Sequence, residues 1–249
     1  MKTTETIADP VAAGHQQQIV RLPEPYYDRD GITIYCADAR RILPNIADGF
    51  VTVTDPVYGI DGGRGGDAKD FGKGKYSSGI DTEEYVQFVC VPVIALAIYK
   101  SLRAAVTPGI RCLHLYPRPH DIGCFWTPAA ATHGPWGFTT FQPILYYGKD
   151  YRAGKGALPT GRQVTEPAVK NGHPCPKPTA AWRWLIDKMS ADGELVVDPF
   201  MGSGTTLVAA KMLGRRAIGI EISEEYCEIA VKQLRQNVFD FSGTDAAVG

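Results

Sequence analysis

The stretch ELVVDPFMGSGTTLVAAKMLGRRAIGIE, residues 194–221, decides the fold. An apolar run over 194–198 reads as a strand, GSGTT at 202–206 as a tight turn, and 207–213 as a helix that stops at Gly214. A second strand over 217–222 and an amphipathic helix over 224–236 follow. Strand, helix, strand and helix in succession imply a parallel sheet with helical crossovers, and so an α/β architecture.

The first turn of this unit also carries chemistry. Its glycines let a backbone approach a ligand closely. Glu221, at the end of the next strand, is placed to accept hydrogen bonds from ribose hydroxyls. The third glycine of a dinucleotide-binding turn is missing, since position 207 is Leu, and no Gly-Lys-Ser/Thr follows as in a phosphate loop. Asp198 at the strand end would repel a pyrophosphate and attract an ammonium or sulfonium. That preference favours S-adenosylmethionine over a nicotinamide dinucleotide; the plainer alternative is a purely structural turn.

Upstream, 179–190 reads as a helix, 139–147 (TTFQPILYY) as a strand, and 110–116 as another strand. Prolines and glycines break up 117–138, and 148–178 is irregular, with six Lys/Arg against two acids. A helix capped by Asp81 or Thr82 is expected to run from Glu83 to about residue 105, bent at Pro92. Residues 61–79 hold seven glycines and read as a mobile loop. Strands are expected over 31–37 and 50–54, with a short helix at 39–46 between them.

The strand at 50–54 runs directly into Asp55-Pro56-Val57-Tyr58-Gly59, at the sheet edge where open α/β folds bind ligands. This quartet suits methylation of an exocyclic base amine. Such an amine is a poor nucleophile because its lone pair is delocalised into the ring. The Asp55 carboxylate and the Pro56 carbonyl can accept its two hydrogens and free the lone pair, and Tyr58 offers a face for a flipped base. Taken alone, D-P-x-Y is a common turn; its weight comes from occurring together with the 198–206 segment.

With that pairing in hand, the sequence resembles the amino-methylating DNA methyltransferases of the permuted β group, whose D-P-P-Y motif precedes D-P-F-x-G-S-G-T-T. Two further segments match: His173-Pro-Cys-Pro-Lys177-Pro178, like H-P-x-x-K-P, and Tyr35-Cys-Ala-Asp38, like aromatic-x-G-D. The resemblance implies a Rossmann-like, circularly permuted fold with a mostly parallel sheet. It also implies S-adenosylmethionine as cofactor and duplex DNA as partner. On that pattern Asp198 and the turn Gly202, Ser203, Gly204, Thr205 and Thr206 would hold the methionine part, with Phe200 a further cofactor contact. Lys177 would reach its carboxylate, Glu221 the ribose, Asp38 the adenine amino group, and Asp55 the ammonium. An aspartate at position 55 favours adenine N6; cytosine N4 stays open, as do a non-catalytic binding protein and a methylase of RNA or small molecules. Val57 and Ala37 stand where the family has proline and glycine. Pro174-Cys175 resembles a cytosine-C5 nucleophile only in isolation, and its place inside the H-P-x-x-K-P segment argues against that role.

DNA contacts are expected from Arg64, Lys69, Lys73 and Lys75 in the 61–79 loop, and from Arg118, Lys149, Arg152 and Lys155 in a small recognition region within 117–172. Trp126, Trp136 and Phe138 can pack that region or wedge into the base stack. One methyltransferase domain over 26–240 is expected, with loose tails at 1–25 and 241–249, and a homodimer is consistent with the small recognition region. The net charge of −1 neither supports nor excludes nucleic acid. The six cysteines lack the spacing of a zinc site, argue against a disulfide framework at this length, and fit a cytoplasmic protein without a membrane span.

Overall fold

The computed structural model describes residues 22–60, 81–127, 132–134, 137–165 and 177–236. The strands are β1 (Tyr27–Arg29), β2 (Ile32–Cys36), β3 (Phe50–Thr54), β4 (Ser101–Val106), β5 (Asp121–Trp126), β6 (Thr132–Gly134), β7 (Gly137–Thr139), β8 (Phe141–Gly148), β9 (Arg162–Gln163), β10 (Leu195–Asp198) and β11 (Arg216–Glu221). The helices are α1 (Ala39–Ile42), α2 (Glu83–Tyr85), α3 (Val91–Lys100), α4 (Thr179–Met189), α5 (Thr205–Met212) and α6 (Glu224–Gln236). Nine strands form one sheet in the order β1-β2-β11-β10-β3-β4-β8-β5-β9, and β6 and β7 pair separately.

Strands β2, β11, β10, β3 and β4 are parallel, as the sequence pattern implies. Alternate residues feed two different cores. Val51, Val53, Val196 and Ala105 face α4, α5 and α6, while Phe50, Val197, Ala104 and Val106 face α1 and α3. Ile186, Leu185 and Leu207 are fully buried, and each such side chain contributes about 1.5–3 kcal/mol of burial free energy. Among the described residues no helix is long and apolar enough to cross a membrane.

Three local expectations fail for tertiary reasons. The helix expected to reach residue 105 ends at Lys100, and β4 begins at Ser101. Ala104 and Ala105 have high helix propensity, but here they fill the buried part of a strand between β3 and β8, so sheet pairing overrides it. Ser101 ends the helix, donating from Oγ to the Ala97 carbonyl at 2.6 Å. Second, the strand expected over 110–116 is a turn with a 3-10 helix at Leu113–Leu115. Cys112 and Tyr116, four apart, both turn inward, which is a helical spacing. Third, the segment expected to be irregular after residue 117 contains β5, paired along its whole length with β8. The helical run through Pro92 is continuous from Glu83 to Lys100, with a π-helical segment, Val86–Cys90, directly before the first turn of α3 that holds the proline.

Candidate active site

β10 hands the chain to α5 and then to β11 on one side, whereas β3 hands it through α3 to β4 on the other. The carboxyl ends of these adjacent strands are therefore a topological switch point, where the outgoing connections part and leave a crevice. A cavity of about 410 Å³ opens there. It is lined by Asp38, Asp55, Pro56, Tyr58, Lys177, Asp198, Phe200, Gly202, Ser203, Thr205, Thr206 and Glu221, so segments far apart in sequence share one cleft. Gly204 shapes the turn without lining the cavity. It has φ +85°, and a Cβ there would lie 2.7 Å from Ala230 Cβ on α6.

One side of the cleft is built almost entirely from β10, α5 and β11. Glu221 accepts the Gly202 N–H at 3.0 Å and the Ser223 N–H at 2.8 Å, tying the glycine turn to the next strand. Gln233 of α6 donates to the Ser203 carbonyl at 2.6 Å. Trp182 packs beneath the turn, donating from its indole to Thr206 Oγ1 at 3.1 Å and stacking on Phe125 at 5.2 Å between centroids. Asp198, 2% exposed, accepts from Thr54 Oγ1 at 2.6 Å and from the Phe200 N–H at 3.0 Å. Burial, with a smaller push from Asp55, raises its carboxyl to about 6 despite donors from Thr206, Thr54 and Phe200. Burial likewise raises Glu221. A buried carboxylate held by neutral donors favours a cationic neighbour that offsets its desolvation.

The other side is assembled from stretches far apart in the chain. Asp55 Oδ1 accepts from the Tyr58 hydroxyl at 2.8 Å, from Gln142 Nε2 at 3.1 Å and from the Thr107 hydroxyl. Asp55 Oδ2 is 2.8 Å from Lys177 Nζ, which also donates to the Tyr58 oxygen and lies 4.7 Å above the Tyr58 ring. Gly109 backs the Tyr58 ring so closely that a Cβ there would meet it at 2.8 Å. Asp81 caps no helix. Its carboxylate accepts the Gly59 N–H at 2.6 Å and closes the turn, while Thr82 caps α2. Asp38 caps α1 and is chelated by Arg40, which holds its carboxyl below the usual carboxylate range.

Sequence reasoning missed Thr107, Asp81 and Gln142. The one signal for Gln142 was a polar side chain inside an otherwise apolar strand, FQPILYY. The basic candidates are placed differently. Arg64, Lys69, Lys73 and Lys75 lie outside the described residues, as do His173, Cys175 and Trp136, residues 1–21 of the expected N-terminal tail and all of the expected C-terminal tail at 241–249. Gly148 pairs with Arg103 near the start of β4, so Lys149 leaves the sheet at the edge opposite the cleft. Arg152 is held at that edge by Asp187 at 2.8 Å and by Tyr151, and the Lys155 N–H bonds to the Arg152 carbonyl. Arg118 lies two residues before His120, whose ring accepts the Gly148 N–H at 2.8 Å. None of these four basic residues lines the cavity.

Residues 115–232 match the family described as DNA methylase, N6_N4_Mtase. A stretch of 62 residues is 48% identical to the type II methyltransferase M2.DpnII of Streptococcus pneumoniae, covering 25% of this chain and 23% of that protein. Another of 74 residues is 42% identical to the type II methyltransferase M.HpaI of Haemophilus parainfluenzae, covering 30% of this chain and again 23% of the relative. The chain thus matches under a quarter of the length of these curated relatives. In three dimensions it is similar to M1.HpyAVI in complex with SAM, with a TM-score of 0.57 and 19% identity over 82% of this chain and 99% of that one. It is also similar to the cytosine-N4-specific PvuII DNA methyltransferase, with a TM-score of 0.57 and 15% identity over 87% of this chain and 88% of that one. The Rossmann-like α/β fold and the resemblance to N6/N4 DNA methylases are borne out.

Proposed function

From this kinship with amino-directed DNA methylases, we propose that the chain transfers a methyl group from S-adenosylmethionine to an exocyclic amine of DNA, at N6 of a flipped adenine. The observation that carries the reading is the meeting of two remote segments in one cleft. Thr54, the residue before Asp55, hydrogen-bonds to Asp198 at the head of the 198–206 turn.

The cleft's own chemistry fits this cofactor. The buried Asp198 carboxylate, raised to about 6, favours a cationic ligand, and the volume of about 410 Å³ suits a molecule of nucleoside size. When bound, S-adenosylmethionine supplies an electrophilic methyl group. The remaining chemistry belongs to the chain. Asp198 and the 202–206 turn bind the cationic end and Glu221 the ribose. Asp38 is the acceptor assigned to the cofactor's adenine, and Lys177 the partner assigned to its carboxylate. Asp55 and the Pro56 carbonyl accept the hydrogens of the target amine, localising its lone pair, while Tyr58 stacks on the base. Positioning and fixed dipoles then supply most of the rate.

Duplex DNA approaches the carboxyl edge of the sheet in this reading. Phosphate contacts are assigned first to Arg64, Lys69, Lys73 and Lys75. Arg118, Lys149, Arg152 and Lys155 are the weaker assignments, because they stand away from the cleft. Incubation with labelled S-adenosylmethionine and unmethylated genomic DNA, followed by digestion to nucleosides, tests the proposal. N6-methyladenosine is the expected product. N4-methylcytosine would move the target to cytosine, and cofactor binding without transfer would leave a binding protein.

A further inference from the structure

Gln142 stands on β8, an antiparallel strand beyond β4, and its side chain reaches the Asp-Pro-Val-Tyr quartet. Nε2 donates to Asp55 Oδ1 at 3.1 Å and to the Tyr58 hydroxyl oxygen, so one amide touches both the first and the last residue of the quartet. The anchor is rigid, because the Gln142 backbone is in register with Phe125 of β5, whose ring stacks on Trp182. Thr107 also donates to Asp55 Oδ1. Lys177 reaches both residues, but as a cation on a long flexible stem. A neutral amide fixes the carboxylate's direction without neutralising it. Inside the quartet, Pro56 has a fixed φ, whereas Val57 leaves the path from Asp55 to Tyr58 without a second ring to stiffen it.

We propose that Gln142 is a positioning residue for methyl transfer, holding Asp55 and Tyr58 in mutual register and supplying from a neighbouring strand the stiffness that Val57 does not. This rests on the amino-methyltransferase reading above. Gln142 acts through Asp55 and Tyr58 rather than on the substrate.

The test compares the full chain with Gln142→Met, which keeps the side-chain volume and removes the donor, with Val57→Pro, and with the double variant. Three readouts are taken: steady-state DNA methylation, cofactor affinity by calorimetry, and hydrogen–deuterium exchange of the 54–60 segment. Gln142→Met should lower kcat about ten- to hundredfold while KM for DNA and cofactor affinity stay within about twofold. Exchange over 54–60 should quicken. Val57→Pro in the Gln142→Met background should recover about tenfold of the lost rate and slow that exchange again. Equal losses in the two backgrounds, or unchanged exchange in Gln142→Met, would overturn the proposal. A melting temperature measured for each variant identifies misfolding. Should Val57→Pro not fold, Gln142→Glu replaces it: an added carboxylate beside Asp55 must shift the acid limb of the pH–rate profile upward, and an unshifted limb counts against the proposal. If the wild-type chain transfers no methyl group to any base, the underlying reading fails instead, and the exchange measurements alone decide whether Gln142 stiffens the turn.

Discussion

The two sides of the cleft are built by different means. The side carrying Asp198 and Glu221 comes from one unbroken run of chain, β10 to α6, in which each turn is fixed by the element that follows it: Gly202 by Glu221, Ser203 by Gln233, Gly204 by close packing on Ala230. The side carrying Asp55 and Tyr58 draws on β3, β4, β8 and Lys177, the last 119 positions from Tyr58. A contiguous wall is specified by local pattern, whereas a composite wall depends on the sheet having formed first. The contrast gives each wall its own vulnerability and leads us to expect that binding and chemistry can be separated by mutation.

The sharpest separation is Asp55→Ala. It should lower methyl transfer by about a thousandfold or more, judged by what single stabilising groups contribute in other active sites, while calorimetry finds most cofactor affinity retained. A parallel collapse of cofactor binding would mean that the walls do not act separately.

Asp198→Asn probes the contiguous wall and should weaken cofactor binding about ten- to hundredfold, in keeping with loss of a buried charge partner. In the wild type the effect has a pH signature. The Asp198 carboxyl stands near 6 in the folded chain and near about 3.9 unfolded. The folded state therefore holds this proton more tightly, and the group's stabilising contribution, complete below about pH 3.9, is lost as pH rises toward about 6. Cation binding runs the opposite way, since it needs the charged form, and weakens as pH falls through about 6. Melting curves of the ligand-free wild type, taken as the difference from Asp198→Asn, should show the first trend, and cofactor titrations from pH 5 to 8 the second. Trends of the same sign would contradict this assignment.

Gly204→Val should destabilise the chain by about 2–3 kcal/mol, combining a strained φ of +85° with a Cβ contact of 2.7 Å. For a chain of this size that is a fall in melting temperature of roughly 4–12 °C. The smallest effect is expected at the far edge. Lys149→Ala and Lys155→Ala should change DNA affinity by about twofold or less and leave the salt dependence nearly unchanged; a loss of a whole phosphate contact would place the DNA path on that edge.

The same contrast explains what the sequence could reveal. Residues 194–236 were legible because their periodicity, glycine punctuation and terminal acids all act within one βαβα unit. The meeting of Asp55 with Asp198 could be inferred, since each follows an apolar strand whose end faces the same sheet edge. Thr107 and Gln142 could not, because their role depends on β4 being a strand and on β8 pairing beside it. The alanines of β4 spell helix when read locally. Asp81 was legible only as a cap, as its bond to Gly59 spans 22 positions.

One contact has a kinetic consequence. Lys177 spans Asp55 Oδ2 and the Tyr58 hydroxyl, the spot to which the proposed function assigns the base amine. On the proposed reading, an arriving amino-acid carboxylate competes for that ammonium and uncorks the pair. Loading then follows a compulsory order, small molecule ahead of duplex, and initial-velocity patterns against a dead-end DNA analogue should be those of an ordered scheme.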